Sequence, residues 1–244
     1  AASGELLFQL ARWLWVGPRA IARARHLRRQ RRGYLALTQG LVSAAAGDPR
    51  GARRLARRAN LFLGEPPLTL LLSAQAAQLD GEDDLAKAYF EAMLGQPETE
   101  FLGLRGLLVQ ANKAGNNQAA LSLAERAFAL RPHTPWVLTT LLELQSHAGR
   151  WSDALGTLRV ARRQRALEAE AGQRREAGLL LEQARAARNA GDGREAAKLA
   201  ARASAAAPQF IPAIIFIAGQ CLALGRRSQA ERMISQAWSN TPHP

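Results

Sequence analysis

The sequence predicts an all-α protein, a right-handed α-solenoid of about six helix–turn–helix repeats. Two observations predict it. Hydrophobic residues make up 48% of the 244 residues and aromatic residues only 6%, and most of the apolar residues are Ala and Leu, which favour helices over strands. The second is a glycine that recurs every 34 residues over most of the chain, a period typical of stacked helix pairs.

Six glycines mark the repeat, with a spacing of 34 residues except for one interval of 42. They are Gly47, Gly81, Gly115, Gly149, Gly191 and Gly225. Glycine suits the left-handed position that ends the first helix of a pair, helix A. An alanine follows each glycine by five residues, so a small side chain in the first turn of helix B lets the two helices approach closely.

These positions divide the chain into frames. The frames are 33–66, 67–100, 101–134, 135–168, 177–210 and 211–244, with residues 1–32 as a separate N-terminal segment. The eight extra residues 169–176 are expected to lengthen helix A of the fifth frame. Polar residues after each glycine predict the N-caps of the B helices, at Asp48, Asp83, Asn117, Ser152, Asp192 and Ser228.

The glycine and alanine positions, with small residues such as Gly40 and Ala74 and prolines at the ends of the B helices, resemble the tetratricopeptide repeat (TPR) family. The resemblance implies a curved rod whose concave groove, lined by A helices, holds a protein or peptide partner. The predicted groove residues are Gln75, Arg105, Asn112, Lys113, Glu143, His147, Arg185 and Arg188. Its apolar ends are predicted at Tyr34, Leu37, Leu68, Leu71, Trp136, Leu181, Ile215 and Leu222.

Nothing in the sequence indicates an enzyme. The histidines lack metal-binding spacing, and phosphate-binding glycine loops and a nucleophile-elbow motif are missing. The single cysteine, Cys221, cannot form an internal disulfide or a Cys-rich zinc site. We therefore expect no catalytic residue, no metal and no resident cofactor. Haem contact stays open as one alternative, with His147 or Cys221 as the axial ligand.

The positive charge is concentrated at the N-terminal end. Of a net charge of +13, residues 1–58 carry thirteen arginines against Glu5 and Asp48, whereas the rest is nearly neutral. An Arg- and Ala-rich composition can also reflect a GC-rich genome. The densest run has no acidic residue and consists of Arg19, Arg23, Arg25, Arg28, Arg29, Arg31 and Arg32.

Helical geometry distributes these arginines all round the axis, so the run is expected to stand in solvent or beside phosphates. Before it lies the apolar stretch "LLFQLARWLWV" at residues 6–16, ended by Gly17-Pro18, where we expect the helix to break. Eleven residues are too few to cross a bilayer, which takes about 20. Tryptophans followed by arginines nevertheless favour a membrane-proximal segment that binds anionic lipid. The alternative is an apolar segment that caps the rod or pairs with another copy.

The order of apolar stretch, arginine run and "GYLALTQGLVSAAAGDPRGARRLARRA" resembles HemY-type proteins of proteobacteria over about residues 6–160. The matching residues are Gly33, Leu37, Gly40, Gly47, Asp48, Ala52, Ala59, Ala74, Ala76 and Ala77. The resemblance implies the soluble part of an inner-membrane protein whose TPR domain faces the cytoplasm. It also implies a scaffold for enzymes of late haem (porphyrin) biosynthesis.

Three hypotheses follow for the function. The first is a membrane-anchored TPR scaffold linked to haem biosynthesis. The second is a TPR scaffold for envelope or cytochrome assembly. The third is a nucleic-acid binder that uses the basic N-terminal region, which is disfavoured because the run has neither a one-sided basic face nor aromatic residues before Tyr34.

Overall fold

The computed structural model describes the backbone of residues 2–64 and 67–240 and the side chains of residues 22–64 and 67–239. Within these ranges the chain forms twelve α-helices and no strand. The all-α prediction is therefore confirmed. The helices form two compact units, one ending at Ala114 and the other beginning at Gly115.

The first unit contains five helices. They are α1 (Ala2–Ala45), α2 (Pro49–Leu63), α3 (Pro67–Leu79), α4 (Asp83–Met93) and α5 (Glu100–Lys113). Its first core cluster joins α1, α2 and α3 through Leu37, Ala56, Ala59 and Leu72. All four are nearly inaccessible to solvent, so burial of alanine and leucine holds the helices together.

The second unit contains seven helices. They are α6 (Asn117–Leu130), α7 (Pro135–His147), α8 (Trp151–Arg163), α9 (Ala169–Asn189), α10 (Gly193–Ala206), α11 (Ile211–Ala223) and α12 (Arg227–Asn240). Leu158, Leu180, Ala200 and Phe216 belong to one continuous core cluster of this unit. Residues 169–176 form the first turns of α9, which has 21 residues.

The turns follow the predicted glycines. All six have a positive φ, between 70° and 86°, which an L-residue with a Cβ adopts only at a cost. Two of the predicted N-caps are confirmed, because the carboxylates of Asp48 and Asp192 accept hydrogen bonds from backbone amides of their helices.

Other predicted N-caps are wrong. The cap lies one residue earlier at Glu82 and Asn116, two earlier at Arg150, and Ser228 lies inside α12. The left-handed glycine reverses the chain direction within one residue. The residue directly after it is therefore usually the N-cap of the next helix.

The predicted helix break at Gly17-Pro18 is also wrong. Helix α1 runs from Ala2 to Ala45 without interruption. A proline inside a helix removes one hydrogen bond and costs about 3 kcal/mol. Strong helix formers on both sides offset that cost, because Ala, Leu and Arg dominate the flanking sequence.

Glycines also allow the closest approach between α4 and α5. A Cβ on Gly103 would lie 2.7 Å from the carbonyl oxygen of Phe90. A Cβ on Gly106 would overlap the ring of the same residue. Since Phe90 is itself buried, these two helices can pack at this distance only because both positions lack a side chain.

We predict that Gly103→Ala destabilises the first unit. The added methyl would meet a backbone atom that cannot move away, and overpacking of this kind costs about 1–3 kcal/mol. The matched control is Gly156→Ala in α8, where a Cβ would meet nothing within 4 Å and alanine favours the helix by about 0.5–1 kcal/mol. Urea denaturation measures the free energy of unfolding of each variant, and equal stability of the two variants would contradict the packing argument.

Candidate functional site

In the first unit, the predicted groove residues lie on α3 and α5. Gln75 is half-buried, whereas Arg105 and Asn112 are exposed. Lys113 is the last residue of α5, and its Nζ lies 3.0 Å from a carboxylate oxygen of Asp83, at the start of α4. The pair ties the end of one A helix to the start of the preceding B helix, so Lys113 is engaged in a contact within the unit.

In the second unit, the predicted groove residues lie on α7 and α9. Glu143 lies 3.8 Å from Arg175, and Arg185 lies 3.1 Å from Glu182. The guanidinium carbon of Arg188 lies 4.6 Å from the ring centroid of Phe216 in α11. This cation–π contact holds the arginine side chain in place while its nitrogen donors remain available.

Two of the predicted apolar groove residues are wrong. Leu37 and Leu181 are buried in the cores, 4% and 2% exposed. Each A helix is rotated so that leucine at this position packs inside its unit and does not face a groove. Ile215 and Leu222 of α11, by contrast, are exposed to solvent, so the surface of the last A helix is apolar.

The two residues considered for haem contact lie in different environments. His147 is exposed at the end of α7, and Cys221 is buried inside α11. Among the described side chains, no group of three or more His, Cys, Asp or Glu is arranged to hold a metal ion.

The arginine run is partly structural. Arg29 donates hydrogen bonds to the carbonyl oxygens of Leu61 and Phe62, at 2.7 and 3.2 Å. These carbonyls belong to the last turn of α2, which has no helical donors left for them. The prediction that every arginine of the run stands free is therefore wrong for Arg29, because α1 continues alongside α2.

The other described arginines of the run are exposed, namely Arg23, Arg25, Arg28, Arg31 and Arg32. Arg19 lies outside the residues whose side chains are described, as does the apolar stretch at residues 6–16.

A second group of arginines lies on α2 and was not singled out from the sequence. Arg53 bonds to Asp80 and Glu82 at 3.2 and 2.9 Å, and the hydrogen bond with Glu82 raises the pKa of the guanidinium above its usual value. The remaining ones, Arg50, Arg54, Arg57 and Arg58, are exposed. Their spacing of three and four residues is the signal that could have found them, since it places most of them on one face of a helix.

Comparison with known proteins agrees with this architecture. The family model described as the HemY protein N-terminus matches residues 2–81, and a tetratricopeptide-repeat model matches residues 111–174. The two matches support a HemY-type TPR protein. The first match contains the arginine run, α2 and the first two turn glycines, and it ends at residue 81, whereas the resemblance is expected over about residues 6–160.

Several solved structures are similar to this chain. A structure of Naa15/Naa10 bound to HypK-THB has a TM-score of 0.57 and 15% identity, covering 87% of this chain and 32% of that chain. A thermophilic TPR protein of Thermus thermophilus has a TM-score of 0.41 and 19% identity, covering 78% and 99%. The TPR2AB domain of yeast Sti1 in complex with pHSP90 has a TM-score of 0.44 and 15% identity, covering 85% and 90%.

At 15% identity, the similarity to the Naa15/Naa10 structure shows the fold alone. The TPR repeats support a protein-interaction scaffold. No curated protein matches the chain. Within the described residues, no helix is long and apolar enough to cross a membrane.

We predict that Arg29→Gln lowers the free energy of opening of the last turn of α2 by about 1 kcal/mol, because two carbonyl oxygens of that turn lose a charged hydrogen-bond donor. Hydrogen exchange of the last turn of α2 measures the effect. Arg25→Gln removes the same charge from an arginine that forms no hydrogen bond or ion pair with the described residues of α2, and it should leave that exchange unchanged. Faster exchange in both variants would show that charge, rather than the two hydrogen bonds, holds the helices together.

Proposed function

We propose that this HemY-type protein is a membrane-attached TPR scaffold that binds a protein partner on its A helices and serves the enzymes of late haem biosynthesis. The observation that carries the proposal is the match of the HemY N-terminal family to residues 2–81, because this range holds the apolar stretch, the arginine run and the first repeat together. The protein acts by holding partners and catalyses no step itself.

The arginine run supports the membrane attachment. Five of its arginines, on the described part of α1, are exposed and form no ion pair there. Arginines close to an anionic membrane contribute about 1 kcal/mol each, and their effect ends within a Debye length of about 8 Å. A run at the base of α1 would thus keep the first unit close to the cytoplasmic leaflet of the inner membrane.

Each unit offers its own A-helix surface for a partner. In the first unit the surface is polar, with Gln75, Arg105 and Asn112. In the second unit the exposed Ile215 and Leu222 lie on α11, the helix whose Phe216 contacts Arg188. A peptide with a carboxylate and a large apolar side chain fits the second surface, since the arginine supplies donors and α11 supplies apolar area.

We predict that replacing Arg23, Arg25, Arg28, Arg31 and Arg32 by glutamine weakens binding to phosphatidylserine vesicles at least about a hundredfold, because each lost charge removes part of the attraction. Co-sedimentation of the full chain measures it. The control replaces five exposed arginines of the second unit, namely Arg159, Arg163, Arg194, Arg202 and Arg226. Equal losses in both variants would mean that net charge alone decides binding, and would end the proposal of a dedicated membrane-proximal run.

The partner is tested by photo-cross-linking in cells with mass spectrometry. Cross-linkers at Asn112 in α5 and at His147 in α7 report on the two A-helix surfaces, and cross-linkers at Gln118 in α6 and Arg159 in α8 are B-helix controls, all four residues being exposed. We expect haem-biosynthesis enzymes at the A-helix positions and a clear depletion of them at the controls. If envelope or cytochrome-assembly proteins are captured instead, the protein is a scaffold for their assembly and the proposed role in haem biosynthesis is wrong.

A further inference from the structure

Helix α2 carries a basic stripe that the membrane attachment does not use. Its buried face consists of Gly51, Ala52, Ala56 and Ala59. The opposite face presents Arg50, Arg54, Arg57 and Leu61, which follow one another at intervals of four, three and four residues. All four are exposed, and Leu61 is 68% exposed, so the stripe is one continuous surface along about three turns of the helix.

The stripe is unpaired in the described structure. Arg53, on the side of α2, forms ion pairs with the carboxylates of Asp80 and Glu82. Arg50, Arg54 and Arg57 form no ion pair with any described residue, and Arg58 lies 5.9 Å from the ring of Phe62.

The described charges of the first unit are unevenly distributed. Its described acidic side chains lie on α4, α5 and the turns beside them, apart from Asp48, whose carboxylate caps α2 itself. The described part of the unit is therefore electrically polar, with its positive side on α1 and α2.

The same positions are basic throughout only in α2, although they include Arg159 in α8, Arg194 and Lys198 in α10, and Arg232 in α12. In α4 they are Asp84, Ala88 and Glu91, and in α6 they are Gln118, Ser122 and Glu125. Every B helix except α2 carries at least one acidic residue within its bounds. Only α2 combines basic residues at all three positions with no acidic residue, although the arginine-rich composition supplies basic residues to other B helices as well.

The stripe lies farther from residues 6–16 than the arginine run of α1 does. The hydrogen bonds of Arg29 place that residue beside the C-terminal end of α2. If the apolar residues 6–16 meet the membrane, as the proposed function has it, about 20 Å of helix separates their end from Arg29 at about 1.5 Å per residue. Arg50 lies about 15 Å further along α2. The stripe is therefore the more distant of the two arginine groups, and the comparison of vesicle binding below tests whether lipid reaches it.

We propose that the stripe Arg50–Arg54–Arg57–Leu61 is a docking surface for an acidic amphipathic α-helix of a partner protein. Carboxylates at positions i, i+4 and i+7 of such a helix match the three arginines, and an apolar residue at i+11 meets Leu61. Arginine forks bind carboxylates through two parallel hydrogen bonds. The surface is distinct from the A-helix surfaces, so one protein can hold two partners at once.

The test uses the full chain and a fluorescent synthetic helix with Glu at i, i+4 and i+7 and Leu at i+11, followed by fluorescence anisotropy. We expect binding that weakens with salt. The variant Arg50→Gln, Arg54→Gln, Arg57→Gln should bind at least about tenfold more weakly, because three ion pairs are lost. The matched control, Arg23→Gln, Arg25→Gln, Arg28→Gln, removes the same charge from α1 and should weaken binding by no more than about threefold. Circular dichroism checks that both variants keep their helices.

Three results would overturn the proposal. Equal weakening by the two triple variants would show attraction to net charge only. Equal binding of a peptide with the same composition in shuffled order would show that the spacing is not recognised. A loss of phosphatidylserine-vesicle binding in the α2 variant as large as in the α1 variant would show that the stripe lies on lipid.

Two further readouts separate the parts of the proposal. The vesicle loss in the α1 variant tests the membrane attachment by itself, so either proposal can fail without the other. Leu61→Ala should weaken peptide binding without changing its salt dependence, and an unchanged affinity would remove the apolar contact from the proposal.

Discussion

Close approach between helices is the constraint on which the rest of the structure depends. The alanines five residues after the turn glycines are 0–1% exposed, from Ala52 in α2 to Ala230 in α12. A larger side chain there would separate a B helix from its neighbours and open cavities along the core. Since alanine buries little area, stability comes from many small contacts, supplemented by leucines such as Leu142 and Leu158.

This packing leaves the outer faces of the helices free to carry charge. In α2 the buried face is made of Gly and Ala alone, so the outward face can hold a row of arginines with no effect on the core. The same logic separates the two sides of the first unit, with arginines on α1 and α2 and carboxylates around α4 and α5. In the proposed function, charge orients the unit between a membrane and its partners, while alanine and leucine determine its fold.

The site could be predicted only in part. Periodicity placed Asn112, His147 and Arg185 on exposed parts of A helices, since exposure follows from helical phase. It failed for Leu37 and Leu181, whose burial depends on how each A helix is rotated against its neighbours. It also missed the tie between Lys113 and Asp83 and the contact of Arg188 with Phe216, because those residues meet only after neighbouring repeats have stacked.

The sequence by itself determined the helical class, the period of 34 and the left-handed glycines, because these depend on local backbone preferences and spacing. It also determined the excess of arginine at the N-terminal end. The tertiary structure alone decided that Arg29 holds the end of α2 and that Arg53 faces carboxylates while Arg54 does not. Residues adjacent in sequence point in directions about 100° apart on a helix, and only packing decides which direction meets a partner and which meets solvent.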